Sequence, residues 1–107
     1  MEFSEFCDNH SKYKNSRFIL LIGVDSNDHK LDIENTITEP YFENCVMLVL
    51  VGQLAEKYED IIDDLVVTND ISFFPTAVVE SVEEAIDLIR SWQFDIMLTH
   101  NIDEEIL

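Results

Sequence analysis

The side chains most able to do chemistry in this sequence are carboxylates spaced three and four residues apart. The densest set comprises Glu56, Glu59, Asp60, Asp63 and Asp64. Residues at these spacings are neighbours on a helix, where each like-charged pair destabilises it by ~0.2–0.5 kcal/mol. The aspartates also fall toward the C-terminal half of the predicted helix, where the helix dipole disfavours negative charge. These charges weaken the helix without an evident structural benefit, which favours a functional role for them.

A second acidic set repeats the arrangement at Glu83, Glu84 and Asp87. Carboxylates grouped on helix faces offer charge complementarity to lysine and arginine, and they accelerate the association of oppositely charged proteins. We therefore expect both sets to bind a basic protein partner. The alternative is that the acids only keep a small protein in solution.

Polar residues also follow the first and last apolar runs, at Asp25, Asp28, His100 and Asp103. Ligands bind at the carboxyl ends of parallel strands, and carboxylate oxygens suit a divalent cation such as Mg²⁺. The same residue types are also common in turns. A receiver-like or metal-binding regulatory domain is therefore the alternative function, and no cofactor is predicted.

A strand–helix repeat with acids after its first strand resembles, in outline, the two-component receiver domain. The later strands end in Gly52, Glu80 and Thr99, and no lysine follows residue 57. The sequence thus lacks the phosphorylatable aspartate and the late lysine that the resemblance would require, and we assign no family.

Motifs for nucleophilic or phosphate chemistry are missing from the sequence. The two cysteines, Cys7 and Cys45, form no Cys-x-x-Cys pair, and the two glycines cannot supply a phosphate-binding loop. There is no Gly-x-Ser-x-Gly motif. We expect a non-enzymatic protein with reduced thiols, which is typical of the cytoplasm.

Four apolar runs predict the strands that must position these residues, at 18–24, 45–51, 76–79 and 94–98. The first two are nearly continuous Ile, Leu and Val, the pattern of parallel strands buried on both faces. Apolar positions recur every three or four residues over 54–66 and again at Val82, Ala85, Ile86, Ile89 and Trp92, which predicts two helices. Ser81 and Glu84 form a capping box before the second helix.

Shorter elements are expected elsewhere. Phe3, Phe6, Cys7 and His10 have helical spacing, and residues 25–44 favour one or two short helices with Pro40 in a first turn. Together these elements predict an α/β fold: a single small domain over residues 1–107, with a mostly parallel sheet of about four strands flanked by helices.

Two adjacent aromatic residues, Phe73 and Phe74, precede the third strand. Adjacent side chains in extended chain point opposite ways, so one ring is a candidate apolar anchor for a partner. The alternative is that both rings plug the edge of the sheet. Pro75 predicts that the following strand lies at an edge.

The formal net charge is −17, and 47% of the residues are hydrophobic, which argues against disorder. Residues 31–107 carry eighteen acids against two basic residues, a net charge of −16. Such a potential disfavours direct binding to nucleic acid or to anionic membranes. The sequence has no apolar run of ~20 residues and no signal-peptide layout at its start.

From these patterns we expect a cytoplasmic acidic module that binds and neutralises a basic protein partner, of the immunity-protein, antitoxin or nucleic-acid-mimic type. A subunit that pairs with itself through an apolar surface is a third, structural possibility.

Overall fold

A computed structural model describes residues 1–9, 11–24, 32–71 and 74–102. The elements in chain order are α1 (Phe3–Asp8), β1 (Phe18–Gly23), α2 (Ile33–Thr38), a 3₁₀ turn (Pro40–Asn44), β2 (Cys45–Val51), α3 (Ala55–Thr68), β3 (Thr76–Val79), α4 (Val82–Ile89) and β4 (Ile96–His100).

The four strands form one sheet in the order β3-β2-β1-β4, with every pairing parallel. β1 lies at the centre, where Leu20 is in register with Leu48 of β2 and with Leu98 of β4. All six β1 residues are buried, as its unbroken apolar run predicts. The predicted α/β fold with a parallel sheet of about four strands is confirmed.

Helices cover both faces of the sheet. On one face, Leu20 and Ile22 pack in a cluster with residues of α1, α2, the 3₁₀ turn and α3. On the other face, Ile19 and Leu21 pack against α4, mainly through Ala85 and Ile89. Alternate β1 side chains point to opposite faces, so this strand contributes to both cores.

The boundaries of four elements differ from the sequence prediction. β1 ends at Gly23 instead of Val24. α4 ends at Ile89, so Trp92 lies beyond this helix and is 39% exposed instead of belonging to its buried face.

β4 starts at Ile96 instead of Phe94 and continues to His100, because the amides of residues 95 and 96 both donate to the carbonyl of Arg17 and begin the pairing with β1 there. α3 continues to Thr68 and ends before Asp70, whose φ of 52° is incompatible with a right-handed helix.

The shorter predicted elements are also present. Phe3 and Phe6 anchor α1 in the core, whereas His10 lies outside the described residues. Two short helices precede β2, and Pro40 occupies the first turn of the second. β3 is an edge strand, as Pro75 predicts. Within the described residues, every helix is too short or too polar to cross a membrane.

Candidate acidic binding surface

The acids of α3 all lie on one side of that helix. Ala55 and Ile62 bury one side against the sheet. At about 100° per residue, the five carboxylates spread over about 140° of the circumference beside this apolar face. The helix contains five acids and a single basic residue, Lys57. Local folding therefore concentrates negative charge instead of alternating its sign.

Glu59 shows how closely these charges are placed. It is partly buried, next to the apolar side of α3. Burial raises the pKa of the Glu59 carboxyl, and the charges of Asp63, Asp60 and Glu56 raise it further. A raised pKa means that the fold disfavours the charged form. The acidic set thus costs stability at neutral pH.

An apolar residue lies within this acidic sector. Val67 is 81% exposed. Viewed along the helix axis, it lies at an angle between those of Glu56 and Asp60, about three turns after Glu56 and about two turns after Asp60. The helix that the sequence predicts ends at Val66, one residue before Val67. The angular position of Val67 on the helix places it on the acidic side of α3, whereas the continuous apolar run Leu65-Val66-Val67 does not distinguish it from its neighbours.

The acids near α4 have structural roles as well. The hydroxyl of Ser81 accepts a hydrogen bond from the Glu84 amide at 3.2 Å, and the Glu84 carboxylate accepts one from the Glu80 amide at 3.2 Å. The predicted capping box therefore forms, except that Glu84 reaches one residue beyond the N-cap. Glu84 is tied to the start of its helix.

The other two predicted residues of this helix are exposed. Asp87 lies 3.4 Å from Arg90 in an ion pair whose side chains are both 74% exposed. Asp87 is therefore partly neutralised, although a pair this exposed contributes little stability. Glu83 lies in the first turn of α4, where the helix dipole favours negative charge.

A cleft brings one acid of each predicted set together. It has a volume of about 700 Å³ and is lined by Glu56, Glu80 and Glu84 together with Gly52 and Val79. It lies at the carboxyl ends of β2 and β3, where α3 and α4 begin on opposite faces of the sheet. We call the α3 acids and the acids of this cleft the acidic surface.

The predicted aromatic anchor has a different role. Phe74 is only 7% exposed and packs edge-on against Phe42, with ring centroids 5.0 Å apart. It is a core residue, which both interpretations of the phenylalanine pair allow, because its ring fills space between the 3₁₀ turn and the sheet. Phe73 lies outside the described residues.

The predicted metal-binding residues are mostly untested. Asp25, Asp28 and Asp103 lie outside the described residues. His100 is half-buried and lines a cavity of about 280 Å³ with Cys7 and Tyr41. Across the residues that the structure describes, no three His, Cys, Asp or Glu side chains are placed to hold a metal ion.

Neither cysteine forms a disulfide within the described residues. Burial raises the pKa of the Cys45 thiol to about 12, so this residue is protonated and poorly nucleophilic at neutral pH. The sulfur of Cys7 lies 3.6 Å from the Tyr41 hydroxyl. Burial, followed by the contact with Cys7, raises the pKa of Tyr41.

The comparisons with known proteins leave the site to be interpreted from its own chemistry. The chain matches no protein-family model, no curated protein and no solved structure.

Proposed function

We propose that this protein is a cytoplasmic acidic module that binds and neutralises a basic protein partner, of the immunity-protein, antitoxin or nucleic-acid-mimic type. The observation that carries the proposal is the cleft in which Glu56, Glu80 and Glu84 meet. This cleft joins one acid of the α3 set, Glu56, to one acid of the α4 set, Glu84, although the two are distant in sequence.

The energetics of α3 support a binding role. Burial, and then the charges of neighbouring carboxylates, raise the pKa of Glu59, so its charged form costs stability. A partner's lysines and arginines would remove this repulsion on binding. The same potential would steer the partner toward the surface and increase its association rate.

Val67 supplies the apolar contact that an electrostatic interface lacks. It is 81% exposed, and the helical repeat places it one turn beyond Asp63 and Asp64 on the acidic side of α3. Burying a valine side chain against a partner would contribute about 1.5 kcal/mol. Val67 therefore replaces Phe74 as the candidate apolar contact.

Affinity capture from the native cell with matched variants tests the proposal. The α3 variant is Glu56→Gln/Asp60→Asn/Asp63→Asn. The control variant removes three exposed acids of α1 and α2 by Glu5→Gln/Asp8→Asn/Glu34→Gln. Both lose the same charge, so they differ only in where it is lost.

We expect the wild-type chain to retain a basic protein at low salt and release it as salt rises, because added ions screen exposed charges. The α3 variant should bind it at least about tenfold more weakly, and the control variant almost normally. Equal losses in both variants, or a partner retained at every salt concentration, would contradict the proposal. So would the absence of any basic protein at low salt.

A further inference from the structure

A second cavity lies at the opposite end of β2 from the acidic cleft. Its volume is about 650 Å³, and Cys45, the first residue of β2, lines it. Asn69 and Asp70, which directly follow α3, line it as well. We call it the α3-end pocket. This volume falls within the range of about 300–1,000 Å³ that ligand pockets occupy.

The lining of the α3-end pocket combines an apolar floor with a charged rim. Its floor includes Ile37, Phe42 and Phe74, which are 3%, 4% and 7% exposed. Its rim carries three exposed carboxylates, which are Glu39 and Glu43 at the 3₁₀ turn and Asp70 after α3. No lysine or arginine lines it within the described residues.

The electrostatics of the pocket select the charge of an occupant. Three carboxylates surround its mouth, and the carbonyl end of α3 adds the negative pole of the helix dipole. An anionic or purely apolar group would leave these charges uncompensated. An apolar side chain next to a lysine or arginine would fill the floor and pair with the rim.

α3 connects this pocket with the acidic cleft. The helix begins at Ala55 beside the cleft and ends at Thr68 beside the pocket, a span of about 20 Å at 1.5 Å per residue. Its carboxylates therefore lie between the two cavities. A basic protein docked along α3 would reach the pocket without leaving the negative surface.

We infer that the α3-end pocket receives an anchor segment of the basic partner, in which a bulky apolar side chain adjoins lysine or arginine. This inference rests on the proposed function and adds a second, apolar attachment point to it. Buried aromatic or aliphatic anchors near cationic groups are typical of the residues that dominate binding energy.

Peptide titration followed by amide NMR tests the inference. The probe is the blocked tripeptide Arg-Trp-Arg, with Arg-Gly-Arg and Glu-Trp-Glu as controls for the apolar and cationic parts. The pocket variant, Glu39→Gln/Glu43→Gln/Asp70→Asn, removes the rim charges. Asparagine tolerates the positive φ of residue 70, so this variant preserves the backbone there. The α3 variant serves as its charge-matched control.

We expect Arg-Trp-Arg to shift the amides of Ile37, Phe42 and Ile71, and both control peptides to bind more weakly. The pocket variant should weaken Arg-Trp-Arg binding about tenfold, and the α3 variant about threefold or less. No shift at the pocket up to millimolar peptide and low salt would overturn the inference. Equal weakening by both variants, or Arg-Gly-Arg binding as tightly as Arg-Trp-Arg, would overturn it as well.

Capture of the native partner separates this inference from the proposed function. If the α3 variant loses the partner and the pocket variant keeps it, the pocket inference fails and the proposed function stands. If the pocket variant alone loses the partner, the anchor site stands and the α3 surface is wrong. If neither variant loses it, both are wrong.

Discussion

Replacing Glu59 with glutamine should stabilise the protein, because burial and the charges of neighbouring carboxylates both disfavour its charged form. Glu59 faces Asp63 at i+4 and Glu56 at i−3, and each such pair costs ~0.2–0.5 kcal/mol. Removing both should raise the free energy of unfolding by about 0.4–1 kcal/mol. For a domain of this size that corresponds to a Tm increase of about 2–6 °C.

The gain should depend on pH and salt. The fold raises the pKa of Glu59, so the folded state binds its proton more tightly than the unfolded state does. The stability associated with this group is therefore present below its unfolded pKa and is lost as pH rises through the folded value. Glu59→Gln should stabilise most at pH 7, and little below about pH 4, where unfolded glutamate is protonated.

Thermal melting followed by circular dichroism measures this effect, and Glu83→Gln is the matched control. Glu83 lies in the first turn of α4, where the helix dipole favours its charge, so its replacement should not raise Tm. Equal gains in both variants would refute the reasoning, because reduction of the total charge would then explain them. A gain from Glu59→Gln that persists at high salt would refute the proposed repulsion.

Three further variants test the fold, each by urea denaturation. Gly23→Ala should destabilise by about 1–3 kcal/mol, because its Cβ would collide with the backbone carbonyl oxygen of Asn101; an unchanged midpoint would contradict this close approach. Ser81→Ala should cost about 1 kcal/mol through loss of the α4 cap, whereas Ser81→Thr should retain most of it; equal losses would argue against capping. Phe74→Ala should cost about 3–5 kcal/mol, whereas a variant of wild-type stability would show that the ring is not in the core.

The fold was predictable from the sequence where local patterns coincide with burial. The unbroken apolar runs of β1 and β2 indicate strands covered on both faces, and the periodic residues of α3 and α4 identify the helices that cover them. Strand order was not predictable, since it depends on pairing between distant segments. The start of β4 was not predictable for the same reason, because it is set by hydrogen bonds to the carbonyl of Arg17, which is distant in the sequence.

The candidate site was predictable only one helix at a time. Helical spacing identifies the acids of α3, but no local pattern shows that Glu56 shares a cleft with Glu80 and Glu84. Alternation also cannot decide which of two adjacent phenylalanines is buried, because either register satisfies it. Predicting the exposure of Val67 requires knowing where α3 ends, and the backbone conformation of Asp70 sets that end.

The pairing of β1 with β4 has a consequence for synthesis on the ribosome. Phe18 pairs with Ile96, and the neighbouring contact between Arg17 and Asp95 spans 78 positions. β1 can pair with β2 as soon as β2 emerges, and β3 then adds to β2, yet the other edge of β1 stays open until β4 is made. Contacts this distant in sequence slow folding, and an open edge on a strand that is buried on both faces invites pairing with other chains. The nascent protein is therefore most exposed to aggregation just before β4 is completed.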